Sequence, residues 1–189
     1  MTPEVPRAGG QSPRSHGDVL AAPGPVRLVA VDGPAGSGKS TEAARLSRRL
    51  GRAPVIDLDD FFAWRDLEGW WPRFEAEVAD PLLAGRPAAW GVRDWRGDPD
   101  GSSTRGVRTA PPWPVVVLDG VSSSRAAIAP RLALRVWVEA PREERLRRGL
   151  ARDGEAEREH WLAWQAMEDA FFAADATRER ADVVVQTGA

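Results

Sequence analysis

The segment Val29–Thr41, VAVDGPAGSGKST, places glycines, a lysine and a serine at a spacing that suits phosphate chemistry. Residues 33–40 match the pattern G-x-x-x-x-G-K-[ST] in full, and we call them the P-loop. The glycines let backbone N–H groups cradle phosphate oxygens, and the N-terminus of a following helix adds its positive dipole end. The predicted nucleotide-binding residues are Gly33, Pro34, Ala35, Gly36, Ser37, Gly38, Lys39, Ser40 and Thr41.

Lys39 is the only lysine of the chain. The other members of its 26 lysine and arginine residues are all arginines. Arginine replaces lysine on most solvated surfaces, but a guanidinium cannot take the place of a compact ammonium in a tight phosphate loop. We therefore expect Lys39 to be catalytic and to reach the β- and γ-phosphates of a bound nucleotide.

Two oxygen ligands for Mg²⁺ are predicted near the P-loop. The Ser40 hydroxyl is one, because the serine of this motif ligates the ion. Asp119 is the other, because it ends the apolar run VVVLD at the position that holds magnesium through water in phosphate-loop proteins. The alternative for Asp119 is an ordinary turn, since Asp-Gly is a common turn pair.

Three carboxylates follow the second predicted strand, in the segment DLDDFF. A kinase needs a carboxylate that orients the acceptor hydroxyl and accepts its proton. If the strand continues through this segment, Asp57 and Asp59 share one face and Asp60 points to the other. The alternative is a cluster that caps a helix, so we expect one acid to be a cap and one to be chemical.

A basic helix is predicted at 142–156, where Arg145, Arg148 and Arg152 are spaced three and four residues apart and share a face. Cations at this position would stabilise the charge on transferring phosphoryl oxygens. The alternative is a solvated face that is salt-bridged to neighbouring acids.

The composition excludes several functional classes. The chain has 189 residues, a formal net charge of -2 and no cysteine. A disulfide, a cysteine-ligated metal and a thiol nucleophile are thereby excluded. Nothing indicates a nucleic-acid partner, an apolar run long enough to span a membrane is absent, and no signal pattern opens the chain. We expect a cytoplasmic protein whose partner is a small molecule.

Apolar strand-like runs alternate with helical patterns, which predicts a parallel sheet covered by helices on both faces. The fold class is therefore α/β: a three-layer α/β/α sandwich of the P-loop NTPase type, with a mostly parallel five-stranded sheet. We expect a disordered tail at 1–24 and one domain at 25–189. The polar, Gly- and Pro-rich segment 86–112, here called the excursion, is long for a compact domain and is expected to be functional or mobile.

These motifs resemble the uridine kinase family of P-loop kinases over about residues 26–187. The resemblance implies that Asp59 is the general base, that the 142–156 helix is lid-like, and that Arg148 and Arg152 are catalytic residues that contact phosphates. It implies ATP and Mg²⁺ as cofactors and a nucleoside-like acceptor. The implied acceptor-binding residues are Asp59, Asp66, Arg93, Asp94 and Trp95.

The sequence departs from the family in the hairpin that handles the pyrimidine base. The family carries a tyrosine and a histidine there, whereas this chain has Arg93 at the tyrosine position and RGDPDG without a histidine. Two functions stay open at this point: a small-molecule kinase, and an NTP-binding regulator or assembly ATPase that has no small acceptor. Because no base-reading motif such as N-K-x-D is present, ATP is the expected nucleotide.

Overall fold

The computed structural model describes Val19 and residues 21–63, 66–98 and 103–188. Its strands and helices alternate along the chain, as the sequence pattern predicts. In chain order they are β1 (Arg27–Asp32), α1 (Lys39–Arg49), β2 (Val55–Asp57), α2 (Trp71–Phe74), α3 (Asp80–Leu83), β3 (Ala88–Arg93), β4 (Thr104–Ala110), β5 (Val115–Asp119), β6 (Leu132–Glu139), α4 (Arg142–Asp153), α5 (Arg158–Asp175) and β7 (Val183–Gln186). A π-helical turn at Glu75–Ala79 joins α2 to α3. No helix in these described ranges is both long and apolar enough to cross a bilayer.

The central sheet has five strands in the order β2-β5-β1-β6-β7, and every pairing is parallel. This confirms the predicted fold class. Chain connections lead from β1 to strands on one side of it and later to strands on its other side. At such a switch point, open parallel sheets bind ligands beyond the carboxyl ends of the strands. Three adjacent strands end there on acids: Asp57, Asp119 and Asp32 end β2, β5 and β1.

The two faces of the sheet bury separate apolar clusters, because successive strand side chains point to opposite faces. On β1, Leu28 and Ala30 join the cluster beneath the excursion and α2, whereas Val29 and Val31 join the cluster beneath α1. All four side chains are fully buried, as expected for an inner strand of a parallel sheet.

Most of the predicted tail at 1–24 lies outside the described residues. Within its described end, Val19 is fully buried and belongs to the cluster beneath α1, and Ala22 packs against the same cluster. The Nε of Arg27 donates to the carbonyl oxygen of Ala22 at 2.9 Å. Packed structure therefore begins before residue 25.

The excursion folds into an antiparallel hairpin, β3–β4, that stands apart from the central sheet. Arg73 of α2 fastens it, because its Nη2 donates to the carbonyl oxygens of Gly91 in β3 and of Asp60, at 2.6 and 3.1 Å. The hairpin is thereby held against the segment that follows β2.

Candidate active site

The P-loop joins β1 to α1 and is enclosed by backbone on two sides. Gly33 has φ 137°, and a Cβ there would lie 2.0 Å from the carbonyl oxygen of Val138 in β6. Gly36 has φ 75°, and a Cβ there would lie 2.5 Å from the carbonyl oxygen of Arg145 in α4. Both positions require glycine, because the left-handed conformation and the close approach exclude other side chains. The loop is therefore shaped by β6 and by α4.

Lys39 lies at the centre of the site. It begins α1, is 9% exposed, and its Nζ donates to the carbonyl oxygen of Pro34 at 2.9 Å across the loop. Burial raises the pKa of four surrounding carboxyls, and the charge of Lys39 opposes that rise in each of them: Asp32, Asp59, Asp119 and Glu168. The ammonium is thus the shared counter-charge of the site.

Ser40 and Asp119 meet where the magnesium ligands are predicted. Asp119 ends β5, is 6% exposed, and interacts with the Ser40 side chain. Burial raises the pKa of Asp119, and both Lys39 and the Ser40 hydrogen bond oppose the rise. The Oδ1 atom of Asp119 is buried without a hydrogen-bond partner among the described residues. A hydroxyl beside an unsatisfied carboxylate oxygen suits Mg²⁺, which prefers hard oxygen ligands.

The three acids of the segment DLDDFF do not lie on one continuing strand, so the predicted alternation of faces is wrong. The strand ends at Asp57, whose Oδ1 accepts a hydrogen bond from the Asp59 N–H at 3.0 Å and starts a 3-10 turn, Leu58–Asp60. Asp57 is thus the cap that the alternative reading expected. Asp60 is 5% exposed and accepts from the Trp90 indole and the Arg108 guanidinium, both on the hairpin, at 2.8 Å.

Asp59 is left as the acid without a structural partner. Its carboxylate accepts no hydrogen bond from the described part of the chain, and the residue is exposed to solvent beside the other acids of the site. Partial desolvation by the neighbouring protein atoms raises the pKa of Asp59, Lys39 and Arg152 oppose the rise, and the charge of Asp119 adds to it. The Nε1 of Trp95 donates to the Asp59 carbonyl oxygen at 2.8 Å, so the hairpin touches the backbone of the predicted base.

Arg93 and Asp94 have structural roles that the sequence did not indicate. Arg93 is 1% exposed and donates from Nε to the carbonyl oxygen of Phe62 at 3.0 Å, while its Nη atoms bind carbonyl oxygens of the loop between β3 and β4. Asp94 accepts from the N–H groups of Arg96 and Gly97 within that loop. Arg93 therefore stabilises the hairpin in this structure, and its predicted contact with an acceptor stays a prediction.

Asp66 borders a cavity of about 640 Å³ between the segment after β2, the loop after β5 and helix α5. The Oδ1 of Asp66 accepts from the N–H groups of Glu68 and Gly69, at 3.0 and 2.5 Å, in a local turn. Opposite it lies Arg125, whose guanidinium stands 5.0 Å from the ring centre of Trp71. The lining of the cavity combines charged side chains from these loops with apolar side chains of α5.

The three arginines that share a face of α4 in the sequence have three different environments. Arg145 is 5% exposed and donates to Glu168 at 2.6 Å. Arg148 donates to the carbonyl oxygen of Gly36 at 3.2 Å and to the Thr187 hydroxyl at 3.1 Å. Arg152 is 67% exposed and donates to the neighbouring Asp153, and the charges of Asp57 and Asp59 add to the rise in its pKa. Of these three arginines, Arg152 therefore presents an exposed cation to the acids of the site.

Helix α4 is also fixed to its neighbours along its length. A Cβ on Gly149 would lie 2.4 Å from the Trp161 ring of α5, and Trp161 is 1% exposed. Together with the contact between Gly36 and the Arg145 backbone, this packs α4 against both α5 and the P-loop. A lid movement of α4 by itself would break both contacts.

Three further residues of the site had no recognised signal in the sequence. Asp32 is fully buried and accepts from the N–H groups of Gly33 and Ser124, each at 2.7 Å, and burial raises its pKa to about 6. Thr187 lies beyond β7, and its hydroxyl donates to the carbonyl oxygen of Ser37 in the P-loop. Glu168 binds the P-loop from α5. Asp32 could have been noticed in the sequence, because it directly precedes the first P-loop glycine. No sequence motif near Thr187 or Glu168 indicates that they contact the P-loop.

The comparisons with known proteins bear on the fold. No family model and no curated protein sequence matches the chain. Among solved structures, it is similar to a possible uridine kinase from Bacillus stearothermophilus, with a TM-score of 0.60 and 21% identity over 87% of this chain and 90% of that one. It is also similar to a candidate fructose transport system kinase from Silicibacter sp. TM1040, with a TM-score of 0.62 and 19% identity over 86% and 90%.

A shikimate kinase from Acinetobacter baumannii, solved in complex with shikimate, matches less closely, with a TM-score of 0.51 and 15% identity over 87% of this chain and 85% of that one. At such identities the similarity establishes the fold, which this chain shares with P-loop kinases. The acceptors named for these proteins differ from one another, so the fold leaves the acceptor of this chain open.

Proposed function

We propose that this protein is an ATP-dependent phosphotransferase that moves the γ-phosphate to a hydroxyl of a small molecule, a nucleoside or a related metabolite. The observation that carries the proposal is the state of Asp59. Of the three acids of the segment DLDDFF, it is the one whose carboxylate accepts no hydrogen bond from the described residues, and the charges of Lys39 and Arg152 both act on it. A base beside two cations is the arrangement that phosphoryl transfer to a hydroxyl needs.

The residues can divide the reaction between them. P-loop N–H groups and the N-terminus of α1 hold phosphate oxygens, and Lys39 exchanges the Pro34 carbonyl for the β- and γ-phosphates. The acceptor hydroxyl oxygen bonds to the γ-phosphorus, the bond from that phosphorus to the bridging oxygen breaks, and ADP leaves. Asp59 takes the hydroxyl proton, and its raised pKa makes it a stronger base than an ordinary aspartate. Arg152 faces the developing charge from α4.

Ser40 and Asp119 would hold Mg²⁺ together with phosphate oxygens. The described residues contain no group of three or more His, Asp or Glu side chains that could hold a metal by themselves. This suits Mg²⁺, which is usually bound by one or two protein groups together with substrate phosphates. When bound, the ion would neutralise negative charge on the phosphates.

The acceptor side supports a small polar acceptor and leaves its identity open. Trp95 ties the hairpin to the Asp59 backbone, so acceptor contacts on the hairpin and the base are positioned together. Arg93 is engaged within the hairpin and replaces the residue with which the uridine kinase family handles the pyrimidine. The proposal of a uridine kinase-like protein therefore includes acceptors other than pyrimidine nucleosides.

The test is ADP release from Mg-ATP with a panel of ribonucleosides, sugars and polyhydroxy acids, followed by Asp59→Asn on the acceptor found. We expect kcat to fall by about 10²-fold or more, the scale of a lost general base, with little change in ATP affinity. Asp57→Asn is the matched control. Asparagine caps the turn as well as aspartate does, and the substitution likewise removes one carboxylate charge from the segment DLDDFF.

A variant Asp59→Asn that turns over normally would contradict the assignment of the base. If the panel yields no acceptor while ATP binds and is slowly hydrolysed, the kinase proposal fails, and an NTP-dependent regulator takes its place.

A further inference from the structure

Glu168 is a carboxylate buried against the P-loop. It lies on α5, has no exposed surface, and is 133 residues from Ala35 in sequence. Its Oε2 accepts from the backbone N–H of Ala35 at 2.8 Å and from the Trp164 indole at 3.1 Å. Its Oε1 accepts from Nη1 of Arg145 at 2.6 Å. The tip of the P-loop is thus bonded directly to a residue of α5.

The same tip also rests on α4. Gly36, the residue after Ala35, lies so close to the Arg145 backbone that a Cβ would be 2.5 Å from its carbonyl oxygen. Arg145 is the residue that pairs with Glu168. Two successive P-loop residues are therefore held by two residues that are ion-paired with each other, one on each of the packed helices α4 and α5.

We propose that Glu168 is a positioning residue that presets the P-loop for the nucleotide's β- and γ-phosphates without touching them. The inference rests on the nucleotide-binding part of the proposed function and is independent of the acceptor. It extends the nucleotide site to a buried ion pair that the P-loop motif does not contain.

The chemistry of the contact explains why a carboxylate is required. All three partners of Glu168 are donors: a backbone N–H, an indole N–H and a guanidinium. A carboxylate presents acceptors alone, whereas the glutamine amide has one oxygen and one NH₂ group. In Glu168→Gln the NH₂ must face either the guanidinium or the Ala35 N–H. If it faces Ala35, the N–H of Ala35 is buried without an acceptor. The free-energy cost of that unsatisfied donor is large enough to displace the loop.

The position of the ion pair also explains how a buried negative charge is tolerated beneath a phosphate site. Burial raises the pKa of Glu168 to about 7, whereas the Ala35 N–H and the charges of Lys39 and Arg145 stabilise its ionised form. The Arg145 guanidinium faces it directly and is itself nearly buried. The neutralised pair can thus hold the loop without repelling the phosphates.

The experiment is isothermal titration of ATP, ADP and AMP, with Mg²⁺, into wild type and Glu168→Gln at a temperature where circular dichroism shows both folded. We expect the Kd of ATP and ADP to rise about 10-fold, the equivalent of about 1.4 kcal/mol. The Kd of AMP should change less than about 2-fold, because AMP lacks the phosphates that the loop cradles. A role in stability alone would lower the melting temperature and leave these ratios unchanged.

The matched control is Asp169→Asn, the next residue of α5. Asp169 is a carboxylate 3.8 Å from the same Arg145 but 45% exposed, and within the described part of the chain it makes no hydrogen bond or ion pair to the P-loop. It should bind all three nucleotides as the wild type does. Equal losses in Glu168→Gln and Asp169→Asn would overturn the proposal, as would an unchanged ATP affinity in Glu168→Gln.

A double variant keeps the proposal testable if Glu168→Gln does not fold. In Arg145→Met/Glu168→Gln the guanidinium is gone, so the amide NH₂ can turn to that side while the amide oxygen accepts from the Ala35 N–H. Replacing a buried ion pair by less polar groups of similar volume is often neutral in stability. We expect ATP affinity within about 3-fold of wild type, which corresponds to less than about 1 kcal/mol, because the Ala35 N–H keeps its acceptor.

A folded double variant with weak ATP binding would contradict the positioning role. Failure of the wild type to bind ATP at all would instead refute the proposed function, so the two failures are distinguishable.

Discussion

The buried carboxylate of Asp32 should make folding stability fall as the pH rises, which is the opposite of the usual behaviour of a paired aspartate. Burial raises its pKa from 3.8 to about 6, despite hydrogen bonds from Gly33 and Ser124. The folded state therefore holds the Asp32 proton more tightly than the unfolded state, and stability declines with pH between the two pKa values. The difference of about 2 units corresponds to about 3 kcal/mol at 1.36 kcal/mol per unit.

The perturbation is Asp32→Asn, which keeps the size of the side chain and removes its titration. Asparagine leaves one of the three hydrogen bonds from Gly33 and Ser124 unmade, so the variant starts with a fixed penalty at every pH. Relative to this variant, the wild type should lose most of this difference, about 2.4 kcal/mol of unfolding free energy, between pH 4 and pH 7. Other titrating groups contribute equally to both proteins and cancel in the difference.

The assay is urea unfolding of both proteins at half-unit pH steps, with linear extrapolation to water. Asp169→Asn, which removes a carboxylate that is 45% exposed, serves as the control and should track the wild type. A difference between wild type and Asp32→Asn that is flat with pH would refute the reasoning. A difference that grows in favour of the wild type would show that the hydrogen bonds outweigh the burial.

Two further predictions concern the phosphate machinery. Lys39→Ala should abolish phosphoryl transfer with the fold intact by circular dichroism, and Lys39→Arg should be severely impaired because the wider guanidinium does not fit the loop; near-normal turnover of Lys39→Arg would contradict this. Ser40→Ala and Asp119→Asn should each lower activity and raise the Mg²⁺ concentration for half-maximal rate, measured by Mg²⁺ titration at fixed ATP. A wild-type Mg²⁺ dependence in both variants would make Asp119 a turn residue only.

The parts of the site that could be predicted from the sequence follow from short-range patterns. The P-loop, Lys39 and Ser40 lie within one strand-turn-helix unit, so a motif of eight residues and its apolar flanks predict their arrangement. Asp119 could be placed because it ends an apolar run, and strands of a parallel sheet end at one edge.

The segment after β2 shows where a local pattern is not sufficient. DLDDFF reads as a continuing strand, but the Asp57 side chain takes the Asp59 N–H and turns the chain. The structural role of Asp60 depends on its hydrogen bonds from Trp90 and Arg108. These residues lie on the hairpin, 30 and 48 residues later in the chain. The sequence indicated that one of these acids was chemical, and only the packing of the hairpin left Asp59 available.

By itself, then, the sequence determined the fold class, the phosphate loop with its lysine, and the edge of the sheet at which the candidate site lies, because each depends on residues near one another in the chain. The tertiary structure decided the roles of side chains whose partners are remote. Helical spacing groups Arg145 and Arg152 on one face of α4, yet Arg145 is buried against Glu168 and Arg152 is exposed. Spacing reports which side chains are neighbours on an element, whereas burial and hydrogen-bond partners depend on what the rest of the chain packs against it.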